Sequence, residues 1–392
     1  MILMIIEHWV QILSIKLGWI NDFNKLVVKY ATTSVMLNIF SSSSKLIKTF
    51  DGHIGRVHSI DYSEFDGGQF ICSGSQDYTV RVWDVDTTKQ IGQFRHSSVV
   101  NCVKFSPYHY HNLRLNVICF SSFDKAVRFW DIKENKQLQI FNENDSWFSG
   151  IVFSSFNSGQ YLCSGSFNKT IRLLDVETTK TLHTFNGHTA SVWCVSFSPL
   201  QNSNDKSNNI GVIGGNGYTI CSGSSDQTIR MWDIETGKQL TILKGHEGAV
   251  LTAQYGSNES GIVGGVNIIL SGSADKSVRL WDVRSSKHIQ VFNGHTDDVS
   301  AVEYSPFVVN NIEAGGSSNV ICSGSLDNTI RFWDIRSNKD ELHVIKGDDG
   351  KDRGIVCFKF LLLNTQGRHN EKTNGGVDLC YGSYKGPICI WG

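Results

Sequence analysis

The sequence predicts an all-β fold in which one small sheet is repeated seven times, and three observations predict it. A Trp-Asp dipeptide or its worn equivalent closes a strand at Trp83-Asp84, Trp130-Asp131, Leu174-Asp175, Trp232-Asp233, Trp281-Asp282, Trp333-Asp334 and Trp391-Gly392. A Gly-His pair or its remnant opens each unit, at Gly52-His53, Arg95-His96, Glu143-Asn144, Gly187-His188, Gly245-His246, Gly294-His295 and Gly347-Asp348. Between them stand an apolar strand and a Cys-Ser-Gly-Ser strand ending in Asp, clearest at Cys221-Ser222-Gly223-Ser224-Ser225-Asp226. A sheet this small cannot bury its own faces, so the copies must stack on one another.

The composition narrows the class of partner. With 36 basic and 37 acidic residues the net charge is -1, so no global field draws the chain to nucleic acid or an anionic membrane, and partners must be recognised by local shape. Six of the ten cysteines (Cys72, Cys119, Cys163, Cys221, Cys322 and Cys380) share one slot of the second strand, and Cys102, Cys194 and Cys357 share a slot of the first. No Cys-x-x-Cys pair occurs, and equivalent slots of different units lie too far apart to bridge. The cysteines therefore read as small buried apolar residues of a reducing compartment, with no metal, no cofactor and no secretion implied.

Residues 1–34 precede the repeats. Ile2, Ile5, Ile6, Trp9, Leu13, Leu17 and Ile20 recur at helical spacing, and Phe23, Leu26, Val27 and Tyr30 suggest a second short helix. The segment lacks a basic leader and a small-residue cleavage site, and Glu7, His8 and Lys16 interrupt any membrane span. An amphipathic helical hairpin is expected, packed on the repeats or serving self-association.

The seven units resemble WD40 repeats, and the resemblance covers residues 45–392. It implies a seven-bladed β-propeller of four-stranded blades, with strands a, b and c followed by an outer strand d between one Trp-Asp and the next Gly-His. Lys45 to Phe50 then reads as a d strand with no blade before it, and the chain stops at Gly392 after a strand c. Residues 45–50 are expected to close blade 7.

The resemblance also implies a buried hydrogen-bond chain in each intact blade. Its members are His53, Ser73, Asp77 and Trp83; His188, Ser222, Asp226 and Trp232; His246, Ser271, Asp275 and Trp281; and His295, Ser323, Asp327 and Trp333. Indole only donates, carboxylate only accepts, and Ser and neutral His do both, so the set can be satisfied internally. A Ser-His-Asp hydrolase reading fails because the set recurs four times and no G-x-S-x-G elbow is present. Blade 2 puts Phe120 in the Ser slot, blade 3 has Asn144, Ser164, Asn168 and Leu174, and blade 7 has Asp348, Tyr381, Lys385 and Trp391. These three blades are expected to be the less rigid ones.

Other motifs carry less. Gly214-Gly215-Asn216-Gly217 lacks the Gly-Lys-Ser/Thr of a phosphate loop. Arg81, Arg128, Arg172, Arg230, Arg279 and Arg331, two residues before each Trp slot, suggest inter-blade structural roles. Insertions rich in Asn, Ser and Gly between strands a and b, at 107–116, 199–218, 256–267, 306–319 and 361–377, read as loops on one face.

The opposite face is the one on which the family commonly binds partners. The residue before the turn Asp slot reads Gln76, Phe123, Phe167, Ser225, Ala274, Leu326 and Tyr384 around the ring, and Trp147 and Trp193 join it on blades 3 and 4. Aromatic side chains dominate binding hot spots. Phe123, Trp147, Phe167 and Trp193, with Leu326 and Tyr384, are therefore the candidate partner-binding residues. The expected function is a non-enzymatic scaffold for protein or peptide partners in the cytoplasm or nucleus. The alternatives are an enzyme with its site in the central channel and a membrane-surface adaptor using the N-terminal helix.

Overall fold

In the computed structural model the described residues are 35–142, 146–199, 218–256, 267–311, 316–335, 341–362 and 377–392. They form seven sheets, each with four antiparallel strands in the order a-b-c-d. Blade 1 runs Val57–Phe65, Gly68–Ser75, Thr79–Asp84 and Gln90–Arg95. Strands a of neighbouring blades contact one another at all seven seams, including blade 7 against blade 1, so the ring is closed around a central channel. The fold is a seven-bladed β-propeller.

The repeated strand b explains how the blades stack. In Val117–Ser122 and Ile268–Ser273 every residue is buried, because both faces of a blade meet a neighbour. The Gly of the Cys-Ser-Gly-Ser strand is required by that approach. A Cβ on Gly74 would lie 2.6 Å from Val100 of blade 2, and one on Gly382 would lie 2.7 Å from Val57 of blade 1. Blade 2 has Ser121 at this slot, and its hydroxyl donates to the Ser149 carbonyl of blade 3 at 2.7 Å. All ten cysteines are unpaired.

Blade 7 is completed from the front of the chain. Leu46–Phe50 pairs antiparallel with Ile388–Trp391, in the register Lys48 with Ile390, Thr49 with Cys389 and Phe50 with Ile388. Lys45 and Gly392 exchange backbone hydrogen bonds at 3.2 Å in both directions, one residue beyond the ladder. Strand a of blade 7, Ile355–Leu362, and strand b, Val377–Ser383, complete the sheet.

The segment ahead of the first blade and the 306–319 insertion carry structure that the sequence did not announce. The helical hairpin expected over residues 1–34 lies outside the described residues, whereas Leu37–Ser43, for which the sequence carries no helical periodicity, forms a seven-residue helix. Leu37 and Phe40 are buried in the core shared by blades 6 and 7, and the Phe40 ring lies 4.6 Å from Phe307 and 6.1 Å from Phe332. Just ahead of the helix, Val35–Met36 pairs in parallel with Phe307 and Val308 and gives blade 6 a fifth strand. Much of the 306–319 insertion, expected as a loop, extends strands a and b of blade 6 to Val299–Asn311 and Gly316–Ser325. Its backbone pairs Val308 with Asn319 through Asn311 with Gly316, and the buried Phe307 roots the extension in the core.

Among the other insertions, 107–116 contains a short π-helix at His109–Leu113, while the centres of the remaining three lie outside the described residues. No helix among the described residues is long and apolar enough to cross a membrane.

Candidate functional site

Four blades hold their His, Ser, Asp and Trp in one geometry. In blade 1 the Trp83 indole donates to Ser73 Oγ at 2.9 Å, His53 Nε2 lies 2.8 Å from the same oxygen, and His53 Nδ1 lies 2.8 Å from Asp77 Oδ2. Blades 4, 5 and 6 repeat these contacts at 2.7–2.8 Å through His188, His246 and His295. Each Asp also accepts from the first backbone N–H after its His, as Asp77 does from Ile54 at 3.1 Å. The chain of bonds ties the d–a loop to the b–c turn.

The electrostatics follow from this packing. Burial pushes the Asp77 carboxyl up, but the bonds from His53 and Thr79 outweigh it and hold the group well below the usual carboxylate range. Asp226, Asp275 and Asp327 behave alike for the same reasons. Burial pushes His53 and His246 down against the pull of their carboxylates. Both ends of each pair are committed to the buried hydrogen-bond chain.

The worn blades are rewired. In blade 2 the His96 Nε2 turns to Ser122 Oγ and Asp124 Oδ2, each at 3.0 Å, Arg128 pairs with Asp124 at 2.5 Å, and the Trp130 indole donates to Asn135 at 3.2 Å. Phe120, in the Ser slot, is buried with no polar role. In blade 3 Ser164 Oγ is buried without a partner among the described residues, Asn168 accepts from Thr170, and Leu174 fills the Trp site, while Asn144 lies outside the described residues. Blade 7 substitutes a residue the slot pattern does not reveal. The Tyr381 hydroxyl donates to Asp352 Oδ2 at 2.9 Å, Asp348 supplies only its backbone N–H to that carboxylate at 2.7 Å, and Lys385 reaches the Gly350 carbonyl at 2.7 Å. The Trp391 indole nitrogen is buried and unpaired.

Five of the six strand-c arginines, all but Arg172, make their bonds within their own blades, where inter-blade roles were expected. Arg81 donates to Thr79 at 3.3 Å and to Gln90 on strand d at 2.6 Å, and Arg230 repeats both bonds with Thr228 and Gln239. These two reach two residues back on their own strand and across to strand d, whereas Arg279 bonds Ser277 and Asp275 and the buried Nε of Arg172 has no partner among the described residues.

The face formed by the turns is built by one recurring backbone bond. Gln76, Phe123, Phe167, Ser225, Ala274, Leu326 and Tyr384 each donate their N–H to a d–a loop carbonyl, respectively of Arg56, Val99, Trp147, Ser191, Ala249, Asp298 and Gly354, at 2.8–3.0 Å. The next-but-one residue of each turn, from Tyr78 to Gly386, has a left-handed backbone in all seven blades. Side chains on this face are thereby held at fixed positions on short, bonded turns.

On blades 2 to 4 those positions bring four rings together. Trp147 stacks on Phe123 with centroids 4.6 Å apart and an interplanar angle of 17°. Phe167 meets Phe123 at 5.8 Å, Trp147 at 5.4 Å and Trp193 at 5.0 Å, edge to face in each case. Trp193 is half-buried and its indole donates to Ser225 at 2.7 Å, whereas Trp147 is 41 % exposed. Leu326 and Tyr384 lie on blades 6 and 7 and are not part of this cluster. Tyr384 is exposed, and the Arg56 guanidinium carbon lies 5.3 Å from its ring centre. Ile54, 89 % exposed on the blade 1 loop, belongs to this second group and was missed because it occupies neither of the two slots compared.

Ion pairs link strands a of neighbouring blades. Lys104 of blade 2 reaches Asp61 of blade 1 at 3.0 Å, and Lys359 of blade 7 reaches Glu303 of blade 6 at 2.6 Å. Among the described residues no group of three His, Cys, Asp or Glu side chains is placed to hold a metal ion. The segment 214–217 lies outside the described residues.

Sheet order, closure and the recurring Trp-Ser-His-Asp chain define a β-propeller of the repeat class. The WD domain, G-beta repeat model matches residues 179–233, 237–282 and 286–334, which end on the three consecutive blades with complete hydrogen-bond chains, and a model of the TEP-1 C-terminal beta-propeller matches 53–117. The chain is a WD40-repeat protein built as a seven-bladed propeller.

Its relatives include the nuclear distribution protein PAC1 of Coccidioides posadasii, 34% identical over 148 residues that make up 38% of this chain and 27% of the relative. The nuclear distribution protein nudF 1 of Talaromyces marneffei is 26% identical over 44% of this chain and 31% of its own length. The peroxisomal targeting signal 2 receptor of Mus musculus is 32% identical over 22% of this chain and 28% of its own. The chain thus matches less than a third of the length of each of these curated relatives.

Proposed function

We propose that this propeller is a non-enzymatic scaffold that docks protein or peptide partners on the face formed by the d–a loops and b–c turns. The observation that carries the reading is the contiguous ledge of Phe123, Trp147, Phe167 and Trp193 across three adjacent blades. Four rings in mutual contact offer apolar area with few rotatable bonds left to freeze, and the turn hydrogen bonds have already fixed their backbones. The names of the relatives, two nuclear distribution proteins and a targeting-signal receptor, agree with a binding role and with residence in the cytoplasm or nucleus. Leu326 and Tyr384, across the channel mouth, supply a second contact.

The test is affinity capture with the intact chain and with the Trp147→Ala/Phe167→Ala pair. Neither side chain belongs to a Trp-Ser-His-Asp chain, so the variant should melt close to the parent while losing its partners. An unchanged set of captured proteins would dismiss the ledge.

A further inference from the structure

Among the described residues the guanidinium of Arg56 has no hydrogen-bond or ion-pair partner. It stands on the d–a loop of blade 1 beside the Tyr384 ring of blade 7, its Nε is buried with no hydrogen-bond partner, and among the described residues it makes no ion pair. Asp298 of blade 6 and Cys357 of blade 7 share its electrostatic surroundings, and its guanidinium lies beside Tyr384 at the seam of blades 1 and 7. The matching loop slot of blade 7 is Gly354, whose φ of +129° disfavours any side chain and where a Cβ would lie 3.1 Å from the Leu326 carbonyl, so no side chain stands there. His58, two residues along, makes no hydrogen bond among the described residues, and burial, with Arg56 nearby, pushes its imidazole down to about 4.

A half-buried cation without an acceptor is costly, and a native structure retains one where something else supplies the acceptor. The planar fork of a guanidinium, backed by an aromatic face, matches a carboxylate. Asp297 and Asp298 already bring two carboxyl groups to this sector, Asp298 being pushed up by burial and by Asp297 against the pull of Arg56, and a doubly charged phosphate meets more repulsion from them than a singly charged carboxylate. The exposed Ile54 on the same loop offers an apolar contact next to the cation.

We propose that Arg56, resting on Tyr384, receives an Asp or Glu carboxylate of a docked peptide whose apolar neighbour covers Ile54. This inference rests on the reading that partners dock on this face, and it names one chemistry they must carry.

The experiment uses three synthetic peptide libraries, random at the flanking positions and fixed at the centre as Glu, Gln or phosphoserine, retained on the full chain at low and high salt. The Glu-centred library should be retained at least about tenfold over the Gln-centred one, with the preference shrinking as salt rises. Arg56→Gln should abolish that preference without lowering Tm, because it removes an unpaired charge. Equal retention of Glu and Gln, preference for phosphoserine, persistence of the Glu preference in Arg56→Gln, or a lowered Tm of that variant would overturn the assignment alone. Retention of none of the libraries would count against the docking face as well.

Discussion

At the scale of single residues, the Ser of each intact blade is the pivot, since one hydroxyl meets both an indole donor and a histidine ring. Ser222→Ala strips both partners at once, leaving the buried Trp232 indole and His188 Nε2 unpaired, and should cost about 1–3 kcal/mol. Ser164 occupies the same slot in blade 3 with no partner among the described residues, so Ser164→Ala should cost less than about 0.5 kcal/mol. Urea midpoints of the two variants measure the contrast, and equal losses would mean the hydrogen bonds contribute nothing beyond packing.

The same networks set a pH response. His53 and His246 are held neutral by burial, so the unfolded chain takes up their protons first and stability falls as pH drops below about 6.5. The turn carboxyls Asp77, Asp226, Asp275 and Asp327 have depressed values, so their contribution is full above the ordinary carboxylate range and is lost as pH falls through and below about 4. Thermal melts should therefore be level above pH 7, decline from about pH 6.5 and steepen below about pH 4. A Tm unchanged between pH 7 and pH 5 would contradict the histidine part.

At the scale of elements, the short helix Leu37–Ser43 and the strand Leu46–Phe50 bind the front of the chain to its last two blades. Phe40 is wholly buried between Phe307 and Phe332, so Phe40→Ala should cost about 3–5 kcal/mol, against little for Ile91→Ala on the exposed rim of blade 1. Denaturant titration reads both, and a small loss at Phe40 would mean the helix is only loosely seated.

The elements also divide by how far the sequence could show them. Blade strands were legible because each carries its own signal: alternating apolar residues, the Cys-Ser-Gly-Ser slot and a terminal Trp-Asp. The helix was not, because seven residues hold too short a pattern and its burial depends on rings more than 250 positions away. Asp352 was invisible for a similar reason, as it enters the Tyr381 network from four residues beyond the slot that repeats would assign. The arginines were seen but misplaced, because spacing around a ring cannot say whether a side chain turns into its own sheet or toward the next. The four aromatic slots, by contrast, could be aligned from sequence, and the structure brings those rings into contact.

At the scale of the whole molecule, closure turns seven marginal sheets into one rigid ring with an asymmetric face: an aromatic ledge on blades 2 to 4, small side chains at Ser225 and Ala274, and Arg56, Tyr384 and Ile54 on the far side of the channel mouth. Worn hydrogen-bond chains coincide with bulky turn residues on blades 2, 3 and 7. Loss of the internal staple and gain of an aromatic side chain thus fall on the same turns, half-buried at Phe123 and Phe167 and exposed at Tyr384.

The most direct test of partner docking on the ledge is site-specific photocrosslinking. A benzophenone-bearing phenylalanine analogue is placed singly at the turn slots 76, 123, 167, 225, 274, 326 and 384 of the intact chain. Docking on the ledge predicts partner adducts strongest from 123 and 167 and weakest from 274, where the turn carries only Ala. Adducts of equal yield from all seven slots, or strongest from 274, would contradict it.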